Sequence, residues 1–192
     1  MNIKNDYKVI AKYLRDVIGM KANVKKYYDK NENKSVYIMT INDVLEDGIN
    51  FYSTIGTSDY SLNKYVEGLP LRVELMFTAE AVEAKVPNML ASCAFCIMNS
   101  NYKCYPGAIF HNIISSYIKD TDMKHVMFVE PFFWDDKLKN LKFEEKIVTW
   151  LLAIPISEAE CIYMEENGLD ALEELFEDYD IDVFDLNRKS IL

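Results

Sequence analysis

Apolar positions along this chain change their period several times, and each change marks an element. Tyr7, Ile10, Ala11, Leu14, Val17 and Ile18 recur at the i, i+3, i+4 and i+7 spacing of an amphipathic helix, with Asp6 as its N-cap and Gly19 as its stop. Val24–Asp29 and Ser35–Asn42 are β-rich and flank the polar run Lys30-Asn-Glu-Asn-Lys34, so they read as a hairpin. Phe51–Thr57 continues with aromatic and β-branched residues as a further strand, ending at Gly56. Leu71, Val73, Leu75 and Phe77 alternate with Arg72, Glu74, Met76 and Thr78, which predicts a strand with one wetter face.

Val86–Asn99 then reads as a second helix, with Pro87 in its first turn, where a missing N–H costs nothing. A turn at Pro106-Gly107 precedes a short strand at Val126–Glu130, which Phe132-Phe-Trp134 closes. Asp135-Asp136 opens a charged loop running to Lys146. Lys146–Ile156 is the most continuously apolar segment, predicting a central strand covered on both faces, with neither Leu151 nor Ile154 at an exposed edge. Ser157 stands three residues before Glu160, the spacing of a capping box, and Gly168 supplies the stop of the helix between them. Leu172, Leu175, Phe176 and Tyr179 mark one face of a last helix. Helices and strands are mixed without strict alternation, so the expected class is α+β: a mixed sheet with packed helices in a single domain over residues 1–192.

Composition narrows the class of function. Half of the 192 residues are hydrophobic, which argues against disorder, and the longest apolar run is about ten residues against the ~20 of a membrane span. No signal peptide is visible, which points to the cytoplasm. The net charge of −10 is unevenly placed: from Ser157 to Asp185 there are twelve Asp and Glu and no Lys or Arg. Such acidity disfavours nucleic acid and offers one face to a cationic surface, although a merely solvated helix pair would look the same.

Candidate chemistry is sparse. The sequence carries no phosphate loop, zincin helix, EF-hand loop or nucleophile elbow. Cys93 and Cys96 form a C-x-x-C, but they lie inside a helix among Ala94, Phe95, Ile97 and Met98, as reduced core residues would. A Ser-His-Asp or Cys-His device could use either His111 or His125, with Cys104 seven residues before His111 as a candidate nucleophile, but no family-specific sequence surrounds that pair. Adjacent carboxylates at Asp135-Asp136, Glu165-Glu166 and Glu173-Glu174 point in different directions and make no acid–base pair alone. The residues therefore assign no catalytic, cofactor or metal site. An enzyme using Cys/His or converging carboxylates stays open beside a binding module. Of Phe132, Phe133 and Trp134, at least one is expected to stand exposed as an interface anchor.

Order and spacing in the C-terminal part resemble the suppressor of fused (SUFU) family. The residues that carry the likeness are Ile154-Pro155-Ile156 at the strand end, Glu158 and Glu160, Gly168, Leu169, Leu172 and Leu175, and Asp185 with Arg188. Tyr105-Pro106-Gly107 and Leu71–Leu75 extend it upstream, to roughly residues 45–190. Asp185 and Arg188 are expected to pair locally. The resemblance implies a protein-binding domain without chemistry. Animal members hold a transcription factor through a short extended peptide, and a regulatory scaffold of that kind is one alternative. Short bacterial members resemble immunity proteins that neutralise polymorphic toxins by direct binding. The expected partner is then one protein, a toxin with a basic surface. The expected contact residues are Phe132, Trp134, Asp135, Asp136, Glu173, Glu174 and Glu177.

Overall fold

A computed structural model describes residues 4–18, 22–80, 84–134 and 137–192. Gly19, Asp135 and Asp136 lie outside the described residues. The elements, in order, are α1 (Asn5–Ile18), β1 (Ala22–Tyr28), β2 (Ser35–Ile41), β3 (Ile49–Ile55), β4 (Lys64–Val66), β5 (Leu69–Glu80), α2 (Val86–Ser100), β6 (Ile109–Phe110), β7 (Met123–Val129), β8 (Leu141–Lys142), β9 (Ile147–Ser157), α3 (Glu158–Asn167) and α4 (Leu169–Asp178). None of the described helices is long and apolar enough to cross a membrane.

The nine strands among the described residues join one mixed sheet whose main path is β1-β2-β3-β5-β9-β7-β6, with β4 on β5 and β8 on β9. The β1–β2 hairpin, β2–β3 and β3–β5 are antiparallel, and so is β7–β9. β5 and β9 run parallel, with Leu71 opposite Ile147 and Phe77 opposite Ala153. β9 is thus interior, as its apolar sequence requires, and Leu151 and Ile154 are buried. The strand runs through Pro155: pairing with β5 stops at Ala153, so on that side the missing proline N–H has no ladder partner to fail.

The sheet is covered on both faces. On one side α2 sets Met89, Leu90, Cys93 and Ile97 against Leu75, Phe77, Phe128 and Leu151. On the other, Ile10 and Leu14 of α1, with Cys161, Leu172 and Phe176 of the C-terminal helices, pack on Phe51, Met76, Leu152 and Ile154. Each such side chain removed from water contributes about 1.5–3 kcal/mol, which makes this double coverage the main source of cohesion. α1 already begins at Asn5, so Asp6 sits in its first turn rather than capping it.

Coverage by α1 overturns the expected wetter face of β5. Glu74, Met76 and Thr78 are all buried. The Glu74 carboxylate receives Thr54 Oγ1–H at 2.6 Å and the N–H groups of Gly56, Thr57 and Ser58 at 2.8, 3.2 and 3.2 Å. Those amides open the 3₁₀ turn Thr57–Asp59, where unpaired N–H groups point outward from the chain end. Burial pushes the Glu74 pKa up, and the donors pull against it. Gly56 allows the turn: its φ is +116°, and a Cβ there would lie 3.0 Å from the Tyr7 hydroxyl.

Other differences are smaller. β7 starts at Met123, earlier than the apolar run suggested, and the charged loop before β9 contains β8. Tyr179 falls just past α4 and is exposed rather than sharing the buried face of Leu172 and Phe176.

Candidate functional site

The capping box forms as its spacing implies. Ser157 Oγ accepts the Glu160 N–H at 3.1 Å, and a Glu160 carboxylate oxygen accepts the Ser157 N–H at 2.9 Å. Glu160 also receives Arg188 through both terminal guanidinium nitrogens, at 2.6 and 2.7 Å. Arg188 further donates to Pro155 O at 3.0 Å. The expected Asp185–Arg188 side-chain pair is corrected: Asp185 Oδ1 instead accepts the Asn187 N–H. This buried clamp orients α3 and α4 against the end of β9.

Beyond it lies a groove of about 740 Å³ between α4, the chain following it and the segment after β7. Its floor is apolar, with Val129, Ile154, Leu169, Phe176 and Phe133. Phe133 stacks obliquely on Phe184 at 5.0 Å and on Phe132 at 4.2 Å. Among the described residues, five carboxylates line it as well: Glu130, Glu173, Glu177, Asp180 and Asp182. Burial first, then the negative charges of Asp170, Glu177 and Glu130, hold the Glu173 carboxyl above its usual range. Among the described residues, no Lys or Arg lines this groove. Such a concavity suits an apolar body carrying positive charge.

The structure divides the expected contact residues. Phe132, Glu173 and Glu177 line the groove, with Phe132 47% exposed, and Glu174 is exposed on α4. Trp134 turns inward at 9% exposure and meets Phe51 edge-on at 5.3 Å, so it belongs to the core rather than to the surface. Sequence reasoning missed Glu130, Asp180 and Asp182, whose only signal is proximity to the aromatic and acidic runs.

Cys93 and Cys104 are buried, Cys96 is half-buried, and all are free thiols. Burial raises the pKa of each. The thiol beside His111 is Cys161, not Cys104, with Sγ 4.0 Å from Nδ1. Burial, with Glu165 and Glu158, pushes Cys161 up to about 11, away from the thiolate a nucleophile needs.

Comparison with known proteins agrees with this architecture. The family model described as suppressor of fused protein (SUFU) matches residues 32–189. Immunity protein YqcF of Bacillus subtilis (strain 168) is 46% identical over 192 residues, covering 100% of both chains. A SUFU homologue from Neisseria gonorrhoeae FA 1090, solved by crystallography, aligns with a TM-score of 0.75 at 16% identity over 98% of this chain and 97% of that one. A chain of a Sufu–Fu complex crystal structure aligns with a TM-score of 0.66 at 13% identity, covering 96% of this chain and 91% of that one. Drosophila Suppressor of Fused gives 0.59 at 14% identity over 96% of this chain and 51% of its own. These structural likenesses establish the fold, and the full-length identity with the family match establishes descent: this chain belongs to the suppressor of fused family.

Proposed function

We propose that this protein is a non-catalytic immunity protein that silences one cognate toxin by direct binding, acting in the cytoplasm. The groove carries the reading: an apolar, aromatic floor beside five carboxylates fits a basic surface with an apolar centre. Full-length similarity to a protein named as an immunity protein supports the role. A Sufu–Fu complex, in which a family member meets another protein, supports protein binding as the mode. Phe132 supplies the anchor, and the acidic residues of α4 supply attraction and orientation.

The test uses the product of the reading frame adjacent to this one, mixed with the intact protein. A one-to-one complex that abolishes toxicity without turnover is the expected result. Reversing Glu173, Glu174 and Glu177 to lysine should slow association by about tenfold or more at low salt, because complementary charge acts chiefly on encounter. Added salt should slow the unmodified protein in the same way, since exposed charges are screened beyond a Debye length of ~8 Å. Phe132→Ala should instead speed dissociation. Association rates and salt slopes identical in the triple variant would move the binding surface elsewhere.

The raised pKa of Glu173 adds a pH dependence. A cationic partner favours the ionised carboxylate, so docking should drive off any proton held there. Affinity is then full above the free protein's raised pKa and declines as pH falls through it. Calorimetry in buffers of different protonation heat measures the released proton, and Glu173→Gln should abolish the release. Proton release that persists in that variant would place the coupled group elsewhere.

A further inference from the structure

Three elements that the groove does not use bring nitrogen and sulfur donors together. His111 follows β6, His125 lies on β7, and Cys161 lies one turn into α3. One ring nitrogen of each histidine and the cysteine sulfur fall within 4.8 Å of one another, with His111 exposed and the other two buried. Glu165, one helical turn beyond Cys161, brings Oε1 to 3.9 Å from Sγ, and His111 Nδ1 lies 4.0 Å from the same sulfur. In a tetrahedral zinc site, Zn–S is about 2.3 Å and Zn–N or Zn–O about 2.0–2.2 Å, so neighbouring ligand atoms stand roughly 3.6 Å apart. The distances to Cys161 Sγ exceed that spacing by a few tenths of an ångström, within reach of side-chain adjustment.

We propose that His111, His125 and Cys161 form a binding site for a transition-metal dication of the zinc class, with the Glu165 carboxylate beside Cys161 able to swing in as a further ligand. Imidazole and thiolate donors select such ions over calcium or magnesium, which take oxygen. His125 is already oriented. Its Nδ1 accepts the Asn112 N–H at 2.9 Å, which leaves the ring proton on Nε2, 2.9 Å from Glu158 Oε2. The ring joins an ion by exchanging one of these contacts. Keeping the Glu158 contact would give the carboxylate–histidine–metal arrangement in which an outer carboxylate fixes the tautomer. Cys161 gives up its thiol proton to solvent as the ion binds, so uptake releases acid. The ion joins α3 to the β6–β7 side of the sheet.

The intact protein, stripped with chelator, is titrated with Co²⁺ as a spectroscopic probe and then with Zn²⁺. One equivalent of Co²⁺ should produce a thiolate-to-metal charge-transfer band and the visible bands of a four-coordinate site, and Zn²⁺ should erase both. Cys161→Ser should remove the charge-transfer band, and Cys104→Ser should keep it. His111→Ala, an exposed change that leaves the core intact, should weaken Co²⁺ binding by at least about tenfold. The proposal is overturned by absence of the band in the unmodified protein, by a band that survives Cys161→Ser, or by unchanged affinity in His111→Ala. The His111 arm decides the matter even if the Cys161 variant folds poorly.

Discussion

Replacing Arg188 with alanine is expected to destabilise the protein by about 3–5 kcal/mol, the cost of leaving one member of a buried ion pair without the other. Glu160 is fully buried, and its two oxygens meet both terminal nitrogens of Arg188. The variant keeps the Ser157 and Ile191 N–H donors, which do not neutralise the remaining charge. Lysine should rescue little, because one ammonium cannot span both oxygens and also reach Pro155 O in the present fork. Denaturant unfolding of the two single variants, and of Glu160→Leu combined with Arg188→Met, measures the effect. The double variant should recover part of the loss, since it removes both charges. If Arg188→Ala costs less than about 1 kcal/mol, in the range of an exposed pair, the clamp is not the anchor described here.

Glu74→Leu should cost a comparable amount, about 3–5 kcal/mol. It strands the Thr54 hydroxyl and three backbone N–H groups in the interior, where each unsatisfied group costs roughly 1–3 kcal/mol, with incomplete additivity. Glu74→Gln should cost less, because one oxygen remains as an acceptor while the new NH₂ faces donors. Hydrogen exchange distinguishes this cause from a general packing loss: the amides of Gly56, Thr57 and Ser58 should lose protection first. Retained protection at those three amides in Glu74→Leu would mean that the carboxylate does not hold the turn.

These two carboxylates also show what the sequence could convey. The capping role of Glu160 was legible because a capping box is a four-residue event, complete in the local spacing from Ser157. Its pairing with Arg188 was not, because that contact spans 28 positions and Asp185 offered a nearer partner on paper. For Glu74, alternation identified which residues share a face of β5, but it carries no information about what covers that face. The same limit hid the meeting of His111 with Cys161, which depends on how α3 lies against the β6–β7 side. By contrast, the helix stripes, the hairpin and the interior strand were readable from period and length. Of the groove, the acidic helix and exposed Phe132 were readable, whereas the inward turn of Trp134 depends on its packing against Phe51.

The parallel pairing of β5 with β9 has a consequence for how the chain reaches its native state. β9 forms late in synthesis, yet it lies between β5 and β7 and carries β8. Until it emerges, β5 presents an apolar strand with one edge open, and β7 has no β9 on which to dock. Closing so distant a pair requires a large loss of chain entropy before contacts compensate, which makes such topologies slow to fold. The nascent protein therefore passes through a stage in which half a sheet waits for its centre, and that stage is its period of greatest exposure to aggregation. The time between the emergence of β5 and the arrival of β9 therefore sets the earliest moment at which the complete sheet, and any surface built on it, can exist.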